Sequence, residues 1–121
     1  MNRETDNIGS VRSIFYTNEF KIFYNSLDDK VKKKIDYIIA LIKDFKLIHS
    51  DFVKKLINTE FYEMRISVGT NEYRSILFSI DHKNIIEATE IVMLIGFLKK
   101  STKDYDKQIK KAEKILTKLE P

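Results

Sequence analysis

Two arginines lie on neighbouring stretches that alternate in hydrophobicity, Arg65 in "FYEMRIS" (61–67) and Arg74 in "EYRSILFSI" (72–80). Arg74 keeps phase with Ile76, Phe78 and Ile80, so a cation sits on the apolar side of its strand. That placement calls for a strand end, a carboxylate partner or an anion. Three more cations, Lys99, Lys100 and Lys103, follow the apolar run 91–98 directly, and Tyr105 comes just after them. Guanidiniums grip phosphate oxygens in bidentate fashion and stabilise the charge that builds on them. A lysine or tyrosine whose pKa is lowered by neighbouring cations can move a proton at a ribose 2′-hydroxyl or a leaving 5′-oxygen. A tyrosine ring also offers a face for an RNA base. If these groups converge on one end or face of a sheet, the set suits phosphodiester chemistry without histidine or metal.

Each residue also has a plainer role. Arg65 can be an exposed strand arginine paired with Glu63 or a cross-strand acid, and Arg74 a buried ion pair or a guanidinium reaching past the core to water. The lysines can protect a sheet edge, and Tyr105 can anchor a helix start in the core.

Composition removes several other chemistries. The chain has no cysteine, so it has no thiol nucleophile, no thiolate metal site and no disulfide framework. Its two histidines, His49 and His82, fall in turns on different connections with no partner at helical spacing, so no metal or cofactor is expected. Glycine-rich phosphate loops and nucleophile elbows are missing.

The 121 residues make one domain. The first eleven are expected to be a flexible tail and 12–121 the folded unit. "MNRETDNIGS" lacks the apolar segment of a signal peptide, and the longest apolar runs are far short of the roughly 18 residues of a membrane span. A cytoplasmic protein without a membrane partner is the expectation. The net charge is +4, and from Lys99 onward eight lysines face four acids, so the C-terminal fifth carries the whole excess.

The elements that would position the cations follow from periodicity. Residues 12–17 have the β-branched and aromatic content of a strand. Phe20, Phe23 and Tyr24 have helical spacing. Ser26–Asp29 reads as an N-cap before an amphipathic helix carrying Val31, Ile35, Ile38, Ile39, Ile42 and Phe45 on one stripe. Ser50-Asp51 predicts a second, shorter helix over 52–57. From residue 61 the period changes to two, and "VGTN" (68–71) joins two strands as a hairpin. The run 91–98, apolar on both faces, suits an interior strand. A final helix carries Tyr105, Ile109, Ala112, Leu116 and Leu119 on one side and lysines on the other. The order β-α-α-β-β-β-α is an α+β fold, one sheet packed against helices.

Three of these stretches, Tyr62-Glu63-Met64-Arg65, Tyr73-Arg74 and the segment from Ile95 to Lys103, resemble in order and spacing the HigB/RelE-type toxins of type II toxin–antitoxin systems. The phage-derived HigB-like branch of the RelE/ParE superfamily is the nearest in pattern, over roughly residues 12–119. The resemblance implies an N-terminal helical hairpin on a twisted, mainly antiparallel sheet of about four strands, with a C-terminal helix. It implies an endoribonuclease, an mRNA interferase that cleaves message in the ribosomal A site through the RNA's own 2′-hydroxyl and so blocks translation. It carries the catalytic surface onto Arg65, Arg74, Lys99, Lys100 and Tyr105, with Tyr73, Lys103, Lys107 and Lys110 as RNA contacts. The implied partners are mRNA, the ribosome and a helix-turn-helix antitoxin, with operator DNA reached only through the antitoxin. Ile95 stands where members of that branch commonly carry histidine, which leaves the proton carrier open between Tyr105 and a lysine. A ParE-like gyrase poison or a degenerate toxin acting through protein contacts is the alternative, and a nucleic-acid binder working through Lys107, Lys110, Lys111 and Lys114 is a third.

Overall fold

A computed structural model describes residues 10–120, ordered as β1 (Ser13–Tyr16), α1 (Asn18–Asn25), α2 (Asp29–Asp44), β2 (Val53–Lys55), β3 (Tyr62–Val68), β4 (Asn71–Ser79), β5 (Glu90–Leu98) and α3 (Thr102–Leu119). The five strands form one sheet in the order β1-β5-β4-β3-β2. Its pairings are antiparallel except β1 against β5, which is parallel. The α+β class and the helical hairpin agree with the sequence reading. Two details differ. The sheet has five strands where about four were expected, and 52–57 is not a helix. Val53–Lys55 pairs with Tyr62–Met64 as an edge strand, because Val53 buries opposite Met64 and the pairing outweighs a short helix with few apolar partners. Of the expected tail, residues 1–9 lie outside the described residues; Val11 N–H already donates to Lys43 O at 2.8 Å.

The two faces of the sheet are covered by different helices. On one, α1 and α2 bury Phe20, Val31, Ile35, Ile38 and Ile42 against Met64, Ile66, Leu77, Ile91 and Met93. On the other, α3 buries Ala112, Ile115 and Leu116 against Ile76, Val92, Leu94 and Phe97. Burying each of these side chains larger than alanine contributes about 1.5–3 kcal/mol relative to leaving it in water. Asp28 caps α2 by accepting Val31 N–H at 3.0 Å, and Ser101 caps α3 by accepting Asp104 N–H at 3.1 Å.

A bulge in β5 decides which side chains meet which helix. Leu77 pairs with Met93 but Ile76 pairs with Ile95, so Leu94 is the extra residue and the alternation changes phase there. Thr17 secures the bulge, its hydroxyl donating to Leu94 O at 2.7 Å while accepting Phe20 N–H at 3.0 Å as the cap of α1. Beyond the bulge Phe97 turns toward α3 and Gly96 toward α1. A Cβ on Gly96 would run into the ring of Phe23. Gly96→Ala is therefore expected to cost about 1–3 kcal/mol by overpacking, read as a lower midpoint in urea unfolding. An unchanged midpoint would mean that the Phe23 ring swings away freely. Gly69, in the β3–β4 turn, has φ of 62°, a conformation glycine adopts without penalty.

One buried side chain ties distant segments together. The guanidinium of Arg12 donates to six carbonyls: Nε to Ile85 and Ala88, Nη1 to Ile42 and Phe45, Nη2 to Lys46 and Ile86, at 2.6–3.2 Å. It joins the entry to β1, the C-terminal end of α2 and the 85–88 turn. The 85–88 turn before β5 therefore serves as a seat for Arg12.

Candidate functional site

The strand arginines meet. Arg65 on β3 and Arg74 on β4 occupy directly opposed positions in the hairpin, on the face shared with α3. Like charges placed this way repel, and the chain sets Glu63 between them. Its Oε2 lies 3.6 Å from Arg65 Nε and its Oε1 3.7 Å from Arg74 Nε. Arg74 also reaches Glu72 through Nη1 at 3.2 Å and donates to the Tyr73 carbonyl at 2.9 Å. The Arg74 side chain is 3% exposed and that of Glu63 10%, whereas Arg65 keeps 31% of its surface in water. Of the two guanidiniums, Arg65 is the one an incoming anion reaches first.

More positive charge surrounds this pair. Lys54 on β2 stands opposite Glu63. Lys99, one residue past β5, extends the ladder by donating its N–H to Glu72 O at 2.7 Å. Burial pushes the Glu63 carboxyl above the ordinary carboxylate range, against the opposing pull of Arg74, Arg65, Lys99 and Lys54 in that order. A hydrogen bond from Ser67 Oγ, 2.8 Å, holds Glu72 below that range, and Arg74 adds to it. Because folded Glu63 holds its proton to higher pH than the unfolded chain does, wild type loses stability relative to Glu63→Gln as pH rises from about 4.5 through the raised value. Chemical denaturation of both proteins across pH 4–7 checks that slope; parallel curves would sink it.

The remaining sequence-expected residues divide. Lys100 is exposed beside Lys99. The ring of Tyr105 packs edge-on against Phe97 with centroids 5.3 Å apart, and Phe97 is the cross-strand neighbour of Arg74. Tyr105 is thus a core anchor whose ring borders the cationic face. Tyr73 lies on the opposite face, 6.5 Å from the ring of Phe23, and does not join the set. Lys103, Lys107 and Lys110 flank a shallow groove on α3 with Ser101, Asp104 and Asp106. His49 and His82 are exposed loop residues, each accepting a nearby backbone N–H at 3.0 Å. Among the described residues no group of three or more His, Cys, Asp or Glu is placed to hold a metal ion, and no helix is long and apolar enough to cross a membrane.

Residues 23–117 match the model of the family described as phage derived protein Gp49-like (DUF891). The chain belongs to that family. The Gp49-like family is part of the HigB/RelE-like toxin group, and the match runs from the last turn of α1 to near the end of α3. It includes Glu63, Arg65, Arg74, Lys99 and Tyr105 and leaves β1 and Arg12 outside. No curated protein and no solved structure matches the chain. In this Gp49-like protein Lys54 was missed by sequence reasoning, because 52–57 reads as a helix and a helical Lys54 has no reason to face Glu63. The signal available was the charge complementarity of Lys54 and Glu63 across a strand pair.

Proposed function

We propose that the protein is the toxin of a type II toxin–antitoxin pair and acts as an endoribonuclease on mRNA, cutting message in the ribosome through the RNA's own 2′-hydroxyl. The observation that carries this reading is the half-open cationic face in which Arg65, Arg74, Lys54 and Lys99 surround one carboxylate on a toxin-group scaffold. In this reaction the 2′-hydroxyl gives its proton to a base as its oxygen bonds to the adjacent phosphorus. The bond from phosphorus to the 5′-oxygen breaks, that oxygen takes a proton from an acid, and a 2′,3′-cyclic phosphate remains. The two guanidiniums stabilise charge on the non-bridging oxygens, and a lysine or the Tyr105 phenol moves the protons. Arg65 binds and polarises the phosphate from the open side, Arg74 binds it from the buried side, and Lys99 and Lys100 hold the flanking backbone. Lys103, Lys107 and Lys110 extend the contact along α3. Cell-free translation followed by mapping of message ends tests the proposal: new ends with wild type and their loss with Arg65→Ala support it, and intact message with both defeats it.

The Tyr105 ring packed on Phe97 and Ile95 in place of a histidine favour, as a second reading, a non-nuclease member of the group that poisons gyrase or acts through protein contacts. That reading expects toxicity with DNA-damage signalling and intact message. In either case the expected partner is a helix-turn-helix antitoxin, checked by co-purification with the product of an adjacent reading frame.

A further inference from the structure

The contacts between Glu63 and its two arginines are close enough for ion pairs and too long for good hydrogen bonds. They measure 3.6 and 3.7 Å, where a charge-assisted N–H···O bond is about 2.7–2.9 Å. Glu63 Oε1 and Arg74 Nε are both buried, face each other, and have no hydrogen-bond partner among the described residues. Buried polar groups are rarely left so, and an unpaired pair of this kind calls for a physical reason, a catalytic role or a bound ion among them. The two guanidiniums that share this carboxylate also repel each other from opposed positions. A tetrahedral anion can offer two or more oxygens at full hydrogen-bond distance, a better counter-ion than a carboxylate stretched between two Nε atoms.

We propose that Glu63 is a positioning residue that holds Arg65 and Arg74 in the unliganded protein and releases both to a phosphodiester, its carboxylate taking up one proton from solvent as they leave. This deepens the nuclease reading and rests on it. The charged groups that face Glu63 are Arg65 on its own strand, Arg74 on β4 with Glu72 behind it, Lys54 on β2 and Lys99 beyond β5. Once the anion neutralises the guanidiniums, burial of the carboxyl is no longer offset and the proton is retained. Proton uptake on binding means that affinity rises as pH falls, by up to about tenfold per unit for one proton. The window begins at the already raised value of free Glu63.

The probe is a 2′-O-methyl RNA oligonucleotide, which lacks the attacking hydroxyl and stays intact. Its binding by fluorescence anisotropy at fixed ionic strength, pH 5–8, is expected to tighten at low pH in wild type. Glu63→Gln is expected to bind with little pH dependence, and Glu63→Asp to keep the dependence. Should Glu63→Gln fold poorly, calorimetry of wild type and of a His49→Gln/His82→Gln protein in two buffers of different ionisation enthalpy counts the proton directly. Uptake that survives removal of both histidines supports the exchange, and uptake that vanishes with them overturns it. Equal pH slopes in wild type and Glu63→Gln also overturn it, as does failure of wild type to bind at any pH. Message cleavage with pH-independent binding would end the exchange alone; pH-coupled binding without cleavage would end the nuclease reading alone.

Discussion

Arg12→Met is expected to destabilise the protein by at least about 3 kcal/mol, a fall of roughly 10 °C or more in Tm for a domain of this size. Methionine nearly matches the volume of the side chain but donates nothing, and six carbonyls would lose their donor together. Three of those carbonyls lie at or just past the C-terminal end of α2, where the cation also opposes the helix dipole. Arg12→Lys is expected to rescue little, because an ammonium has three donors for six acceptors and no planar fork. Thermal unfolding by circular dichroism reads both. A Tm within about 2 °C of wild type would mean that water replaces the guanidinium, and the seat assigned to the 85–88 turn would fall with it.

The second large effect is on activity. Arg65→Ala is expected to lower the rate of message cleavage by about 10²–10³-fold, the loss typical of removing one preorganised donor to a developing oxyanion. Because Arg65 is partly in water and its contact with Glu63 is long, Tm should move little. Arg65→Lys should fall between, keeping the charge but not the bidentate grip. Arg74→Ala differs, since it strands Glu63 in a buried position and is expected to cost about 3–5 kcal/mol of stability as well. Measuring cleavage and Tm side by side on the two alanine variants separates the loss of a phosphate contact, common to both, from the loss of buried support that Arg74→Ala adds. Equal Tm losses in both, with no excess loss of cleavage in Arg65→Ala, would make the pair purely structural.

Much of this arrangement is written locally. The change of period at residue 61, the turn at Gly69 and the two amphipathic stripes lie within windows of a few residues, and the hairpin and helices followed from them. The hairpin register then aligns Arg65 with Arg74, so that pair was half legible before any fold was known. The strand at 53–55 was not legible, because three residues carry no period and its only argument is the partner strand.

The kinds of elements, their order and the cations in phase with an apolar strand face are local properties of the chain. Long-range packing sets α3 over that face beside β5 while leaving Arg65 partly in water, and brings Lys54 and Lys99 there. The same packing, through the Leu94 bulge, puts Gly96 under Phe23 and Phe97 beside Arg74. The difference is one of range. Periodicity and capping act over a few residues, whereas the acceptors of Arg12 lie 30 to 76 positions away, and the neighbours of Glu63 arrive from four separate segments.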